Sequence, residues 1–259
     1  MHPLVNIAVK AARRAGKIIT RSLEHLDSLE IQEKTPHDFV TETDRLVEED
    51  IIASIREVYP DHAILGEEGG KIGQSEVVWI IDPIDGTANY MRGIPLFAIS
   101  IAIQIKGVVQ HAVIFDPLGG ELFTATRGSG AYLNNRRLRV SKQNKLEDSL
   151  ILLGFPYNQP ENLSRQHKII DELFPHVAGL RVLGTATIAL AYTAAGRFDG
   201  MILARLKEWD MAAGALLITE AGGICCDYQG QELYPNGEII AGNPKMIKIL
   251  LKVVQEAMK

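Results

Sequence analysis

Hydrophobic and polar positions along this chain fall into two periods. Over its first turns, apolar and small residues recur at Leu4, Ala8, Ala11, Ala15, Ile18 and Ser22, a spacing that predicts an opening helix. LEIQE (29–33) reads as a short strand and KTPHD (34–38) as a polar loop. A second helix follows, with Val47, Ile51, Ile55 and Val58 on one face, Thr41 and Asp44 in capping-box spacing, and Pro60 as its stop. Two short apolar runs, AILGEE (63–68) and VVWIID (77–82), both end in acidic residues. From 96 to 105 the period becomes two: Phe97, Ile99, Ile101, Ile103 and Ile105 alternate with smaller or polar residues, as in a strand with one deeply buried face. Turn signals at Lys106-Gly107, Asp116–Gly120 and Asn134-Asn135 make the following runs an antiparallel meander.

After about residue 145 the pattern changes. Strand-like runs (SLILLGF, FDGMILARL, GICCDY, EIIAGN) alternate with helical segments near 162–174, 185–195, 209–221 and 244–257. Gly196 and Gly222-Gly223 stand where helices end, and Asn243-Pro244 supplies an N-cap followed by proline at the first helical position. The expected architecture is layered α/β, with an antiparallel sheet in the N-terminal half and a mixed sheet in the C-terminal half. No linker-like stretch or internal repeat interrupts it, so residues 1–259 are expected to form one domain with sub-halves of about 1–145 and 146–259.

Composition narrows the partners. A net charge of -5 argues against a nucleic-acid-binding surface over the whole molecule. The two cysteines, Cys225 and Cys226, are adjacent and cannot staple distant segments, which points to a reducing cytoplasm. The N-terminal segment carries basic residues inside its apolar pattern and lacks the features of a secretion signal. The most apolar stretch, IPLFAISIAIQI, is too short to span a bilayer, which takes roughly 20 residues.

Several reaction classes drop out. There is no G-x-S-x-G, P-loop, G-x-G-x-x-G or H-E-x-x-H, and the histidines show no metal-ligand spacing. What remains is a set of carboxylates at the ends of elements: Glu67 and Glu68 after AILG, Asp82 and Asp85 in IIDPIDGTANY, Asp44 in a first helical turn, and Asp210 in KEWDMAAG. Mg²⁺ takes oxygen ligands and binds through a few carboxylates plus a substrate phosphate. Glu67, Asp82, Asp85 and Asp210 have the type and number for two such ions sharing one bridging carboxylate. GTATIALAYTAAG (184–196) runs directly into a helix whose free N–H groups suit an anion, and Gly86-Thr87 offers further donors.

DPIDGTAN (82–89), GEE (66–68) and WDMAAGALLITEAGG (209–223) resemble, in order and separation, the signature motifs of the inositol monophosphatase family. KTPHDFVTETD, GTATIALAYTAAGRFDG and IIAGN extend the likeness over essentially the whole chain, which looks most like the bacterial SuhB type. The resemblance implies the αβαβα sandwich shared with fructose-1,6-bisphosphatase, and a Mg²⁺-dependent phosphatase with two or three ions per site. It implies that Glu67, Asp82 and the Ile84 carbonyl hold one ion and that Asp82, Asp85 and Asp210 hold a second. Glu67 and Thr87, with Asp44 behind Thr87, would position and deprotonate the attacking water. Gly86 and Thr87 amides would hold phosphate oxygens, Lys34 would lie near the phosphate and a weaker metal position, and Gly184, Thr185 and Ala186, with Asp85, would face the substrate.

One position departs from the pattern. Seven residues before Asp210, where many members carry a glutamate that bonds inositol hydroxyls, this chain has Leu203. Leucine accepts no hydrogen bond, so the substrate stays open among inositol 1-phosphate, sugar phosphates, fructose bisphosphate and nucleotide phosphates. The same likeness implies a homodimer and raises a second role, as a non-catalytic partner of the transcription antitermination machinery on ribosomal RNA operons. The basic cluster Arg136, Arg137, Arg139, Lys142 and Lys145 is the candidate surface for a partner or RNA.

Overall fold

A computed structural model of the protein describes residues 2–28, 31–35, 38–155, 163–232 and 237–258. It opens with α1 (Pro3–Ser22), the hairpin β1 (Ile31–Thr35) and β2 (Asp38–Thr41), and α2 (Glu42–Arg56). Both helices are amphipathic, burying Ala8, Ala11, Ala12, Ala15 and Ile19 on α1 and Val47, Ile51 and Ile55 on α2. The capping box forms: Thr41 N–H donates to Asp44 Oδ2 at 2.8 Å while Asp44 N–H donates to Thr41 Oγ1 at 3.4 Å. Two expectations are corrected. The helix closes at Arg56, where the chain tightens into a bond from Val58 N–H to the Ile55 carbonyl at 3.1 Å, and Val58 is left exposed. KTPHD is no free loop, because antiparallel pairing runs on to Thr35 and Asp38; residues 29–30 and 36–37 lie outside the described residues.

The large sheet contains β3 (Ala63–Gly66), β4 (Gly70–Ile72), β5 (Val77–Asp85), β6 (Ala98–Ile105), β7 (Val108–Asp116), β8 (Glu121–Thr126), β9 (Gly130–Leu133) and β10 (Arg136–Arg137), with a single-turn helix α3 (Thr87–Tyr90) after β5. Its order is β10-β9-β8-β7-β6-β5-β3-β4. The meander β6 to β10 is antiparallel as expected, but β3 and β5 run parallel, so this sheet is mixed. That parallel pair, with Gly66 beside Ile81, brings two strands' C-terminal ends to one edge. The alternation in β6 also means more than one buried face. Ile99, Ile101 and Ile103 pack with α1 and α2, whereas the small Ala98 and Ala102 face a second helical layer that needs close approach.

The smaller sheet comes from β11 (Leu150–Gly154), α4 (Leu163–Leu173), β12 (Gly179–Arg181), α5 (Ala186–Ala194), β13 (Gly200–Leu203), α6 (Glu208–Glu220), β14 (Ile224–Cys226), β15 (Ile239–Gly242) and α7 (Pro244–Ala257). Its order β12-β11-β13-β15-β14 mixes parallel and antiparallel pairs, as expected. The layers are α1/α2, large sheet, α5/α6, small sheet, α4/α7, held by three apolar clusters: one between α1/α2 and the large sheet, one enclosing α5/α6 between the two sheets, and one between the small sheet and α4/α7. Between their polar ends, helices α5 and α6 are mostly apolar on both faces because both faces are covered. They touch at Gly214, where a Cβ would come within 2.4 Å of the Leu190 side chain.

Candidate active site

The site begins with an irregularity in β5. Residues three apart on a regular strand point to opposite faces. Here Asp82 pairs with Ser100 but Asp85 pairs with Ala98, so β5 uses one residue more than β6 over this stretch. Pro83, which has no N–H to give the ladder, stands inside that bulge. The extra residue lets both carboxylates serve one side. Gly86 then turns the chain with φ +98, and a side chain there would meet the Leu96 carbonyl at 2.9 Å.

Three carboxylates converge. Oxygens of Asp82, Asp85 and Asp210 all lie within 4.8 Å of one another. Asp210 comes from the first turn of α6, where its Oδ2 accepts the Lys207 amide at 2.7 Å. Asp85 Oδ2 accepts the Thr185 hydroxyl and the Thr187 amide, both at 2.5 Å, so the start of α5 directs its donors at Asp85. Asp82 is buried, and its Oδ1 has no hydrogen-bond partner among the described residues. Glu67, whose amide donates to the Ile81 carbonyl at 3.1 Å, adds its negative charge beside Asp82.

Burial, and then the neighbouring carboxylates Glu67, Asp85 and Asp210, push the Asp82 carboxyl well above its usual range. Burial likewise raises Asp85, against the hydrogen bonds from Thr185 and α5. Asp210 is pushed up to about 8, by burial first and by Asp85 second. Buried like charges are costly without a counter-charge. An all-oxygen donor set with one unpartnered buried carboxylate oxygen fits a hard divalent cation.

A second constellation flanks it. Asp44 is buried; its Oδ2 accepts the Thr41 amide and hydroxyl, at 2.8 and 2.5 Å, and its Oδ1 lies 3.1 Å from the Thr87 hydroxyl. That hydroxyl is equally 3.1 Å from the Ile84 carbonyl. Gly86 and Thr87 form the start of α3. Gly184, at φ +74, packs against Asn89, whose side-chain amide donates to the Leu96 and Leu183 carbonyls at 2.7 and 2.9 Å and ties the two halves together. Lys34 lies on β1, but its side chain is outside the described residues. Leu203 is buried at the end of β13, its side chain where a Cβ on Gly154 would fall.

Sequence reasoning passed over Glu48, which is only 3% exposed and accepts the Glu68 amide at 3.0 Å and the Gly69 amide at 2.6 Å. Its signal was available: an acid four residues after Asp44, on the apolar face between Val47 and Ile51.

A profile of the inositol monophosphatase family matches residues 1–259. The chain belongs to that family. It is 50% identical to the Nus factor SuhB of Pseudomonas aeruginosa, over 98% of this chain and 97% of that protein. Its fold is similar to the crystal structure of the extragenic suppressor protein suhB from Bartonella henselae, with TM-score 0.96, 39% identity, and coverage of 98% of this chain and 99% of that one. It is similar also to the IMPase of Thermotoga maritima, with TM-score 0.91, 33% identity, and coverage of 99% and 98%. The layered architecture is thus that of the inositol monophosphatases, and no helix among the described residues is long and apolar enough to cross a membrane.

Proposed function

We propose that this inositol monophosphatase homologue is a Mg²⁺-dependent phosphomonoesterase acting on inositol 1-phosphate or a related small sugar phosphate. The observation that carries the reading is the clustering of the buried Asp82 carboxylate, one of whose oxygens has no hydrogen-bond partner among the described residues, with those of Asp85 and Asp210. Glu67, Asp82 and the Ile84 carbonyl would hold one ion, and Asp82, Asp85 and Asp210 a second; Lys34 would stand near the phosphate and a third, weaker position. When bound, Mg²⁺ supplies charge neutralisation of the phosphate and acidification of a bound water.

The chain's own groups do the rest. Asp44 Oδ1 takes the hydrogen of the Thr87 hydroxyl, leaving lone pairs on Thr87 Oγ1 to accept a hydrogen bond from the attacking water; Glu67 is the second group to orient and deprotonate it. Gly86 and Thr87, at the start of α3, present amides that carry no intrahelical bond and would receive phosphate oxygens. The Thr185 hydroxyl and the α5 amides are engaged by Asp85, so Gly184, Thr185 and Ala186 act on substrate alongside that carboxylate. Leu203, apolar and buried, offers no acceptor to a polyol, which supports a substrate range wider than inositol 1-phosphate.

Phosphate release from a panel of inositol, hexose and nucleotide phosphates, with and without Mg²⁺, is the direct test. No metal-dependent release from any of them rejects the reading. A second reading, partnership with a transcription antitermination complex, is supported by relatives that bear the name Nus factor SuhB. Its surface would include the exposed Arg136 and Arg137 on β10. Capture of elongation complexes that survives Asp82→Asn supports it, and no capture at low salt rejects it. The homodimer belongs to the same proposal; a sedimenting monomer at micromolar concentration would exclude it.

A further inference from the structure

We infer that Glu48 is a positioning residue for the cation site, and that α2 braces the site from two sides. The inference rests on the phosphatase reading for its meaning but on separate geometry for its support. Glu67 is held between two anchors. On one side its amide donates to the Ile81 carbonyl at 3.1 Å, which fixes it to β5. On the other side, the two amides that follow it in the chain, those of Glu68 and Gly69, both donate to the buried carboxylate of Glu48, at 3.0 and 2.6 Å. A carboxylate receiving two N–H groups is a strong, charge-assisted anchor.

The glycines of this loop make room for that anchor. A Cβ on Gly66 would come 2.5 Å from Glu48 Oε2 and 2.7 Å from Oε1, and one on Gly69 would come 2.9 Å from Oε1. Neither glycine is at positive φ, so the missing side chains answer to the Glu48 carboxylate and not to backbone conformation. Glu48 stands one helical turn after Asp44, whose Oδ1 lies 3.1 Å from the Thr87 hydroxyl. One rigid element therefore places Thr87 through Asp44 and Glu67 through Glu48, and the spacing of the two acids on α2 sets the spacing of the groups they hold.

Glutamine in place of Glu48 keeps the shape but turns an NH₂ group toward one of the two amides. The test compares wild type with Glu48→Gln, Glu48→Ala, Gly69→Ala and the double variant Glu48→Ala/Gly69→Ala in the full chain. Mg²⁺ affinity is read by calorimetry, and exchange of the Glu68 and Gly69 amides by nuclear magnetic resonance. Glu48→Gln is expected to weaken Mg²⁺ binding by about 10–100-fold, the usual effect of losing an outer partner of a metal site. Exchange at the two amides should accelerate while α2 itself stays protected. Gly69→Ala should reproduce the loss when Glu48 is present and add little to Glu48→Ala, because the alanine then has space.

A folded Glu48→Gln protein with wild-type Mg²⁺ affinity and wild-type exchange overturns the inference, as do fully additive losses in the double variant. Should both Glu48 variants fail to fold, Gly69→Ala alone decides: unchanged Mg²⁺ affinity in a folded Gly69→Ala protein rejects the positioning role. Failure of the functional reading looks different. Wild type that binds Mg²⁺ but hydrolyses no phosphate ester leaves Glu48 in its role, and wild type that binds no Mg²⁺ removes the metal reading, with amide exchange still judging the anchor.

Discussion

The end of β5 and the end of β13 face the same layer of helices but are built on opposite principles. β5 ends in a bulge that puts Asp82 and Asp85 on one side, with a buried Asp82 oxygen that has no hydrogen-bond partner among the described residues. β13 ends in Leu203, sealed against Gly154, and its half supplies charge and donors from helix starts: Asp210 on α6, and Thr185 with the Thr187 amide on α5. The strand end creates negative charge that the described residues meet only in part. The helix starts meet part of it, since backbone N–H groups there have no intrahelical partner. What is left over on Asp82 is what a cation would satisfy.

The contrast is broken most severely by Asp82→Asn. Metal-dependent phosphate release is expected to disappear, a loss beyond the roughly 10–100-fold attached to outer partners of a metal site. The metal-free protein should melt higher than wild type, by an amount equivalent to about 1–3 kcal/mol, because the variant no longer buries an ionisable carboxyl with an unsatisfied oxygen among Glu67, Asp85 and Asp210. Saturating Mg²⁺ should raise the melting temperature of wild type and leave the variant unmoved. A metal-free variant that melts lower than wild type would contradict the idea that the strand end is electrostatically unmet.

Leu203→Glu reverses the logic of β13. Placing a carboxylate at this buried position should destabilise by about 3 kcal/mol or more, the scale of an uncompensated buried charge, without a gain in selectivity for inositol 1-phosphate. Denaturant unfolding and competing-substrate assays check both halves, and a stable, inositol-selective variant would show that β13 still has its end open to substrate. Thr185→Ala is milder. It deletes the α5 N-cap and one donor to Asp85, which should cost about 0.5–2 kcal/mol, with Thr185→Ser close to wild type.

The smallest effect is expected at a buried histidine remote from both strand ends. His111 is buried on β7, stacks on His2 with ring centroids 4.3 Å apart, and is held down to about 4 by burial and, second, by His2. The unfolded chain binds a proton at this site from about pH 6.5 downwards while the folded chain waits until about 4, so its contribution is complete above pH 6.5 and is lost as pH falls toward 4. His111→Asn should flatten the fall of melting temperature across that window slightly. A curve as steep as wild type would show that His111 does not titrate against folding.

Local chemistry was legible wherever local forces decide. The caps at Thr41 and Asn243, the period of α1 and α2, the β6–β10 meander and the acidic endings of two apolar runs all follow from residues within a few positions of one another. Val58 shows the limit even there, since the sequence period ran on past the turn where the helix tightened and closed. The parallel pairing of β3 with β5 was not legible, because it joins segments across an intervening hairpin strand and depends on which faces find helices to cover them. Glu48 was readable only as an anomaly, an acid on an apolar helical face.

Local sequence set the parts: which segments are helix or strand, which acids end them, and, through DPIDGTAN, GEE and WDMAAG, the inositol monophosphatase family. How those acids meet depends on packing in three dimensions. The bulge at Pro83 turns the Asp82–Asp85 spacing onto one side, the layering of α5 and α6 between two sheets brings Asp210 and Thr185 across to them, and burial removes the water that would otherwise screen their repulsion. Charge in a low-dielectric interior is governed by what surrounds it in space, and no local stretch of chain carries that information.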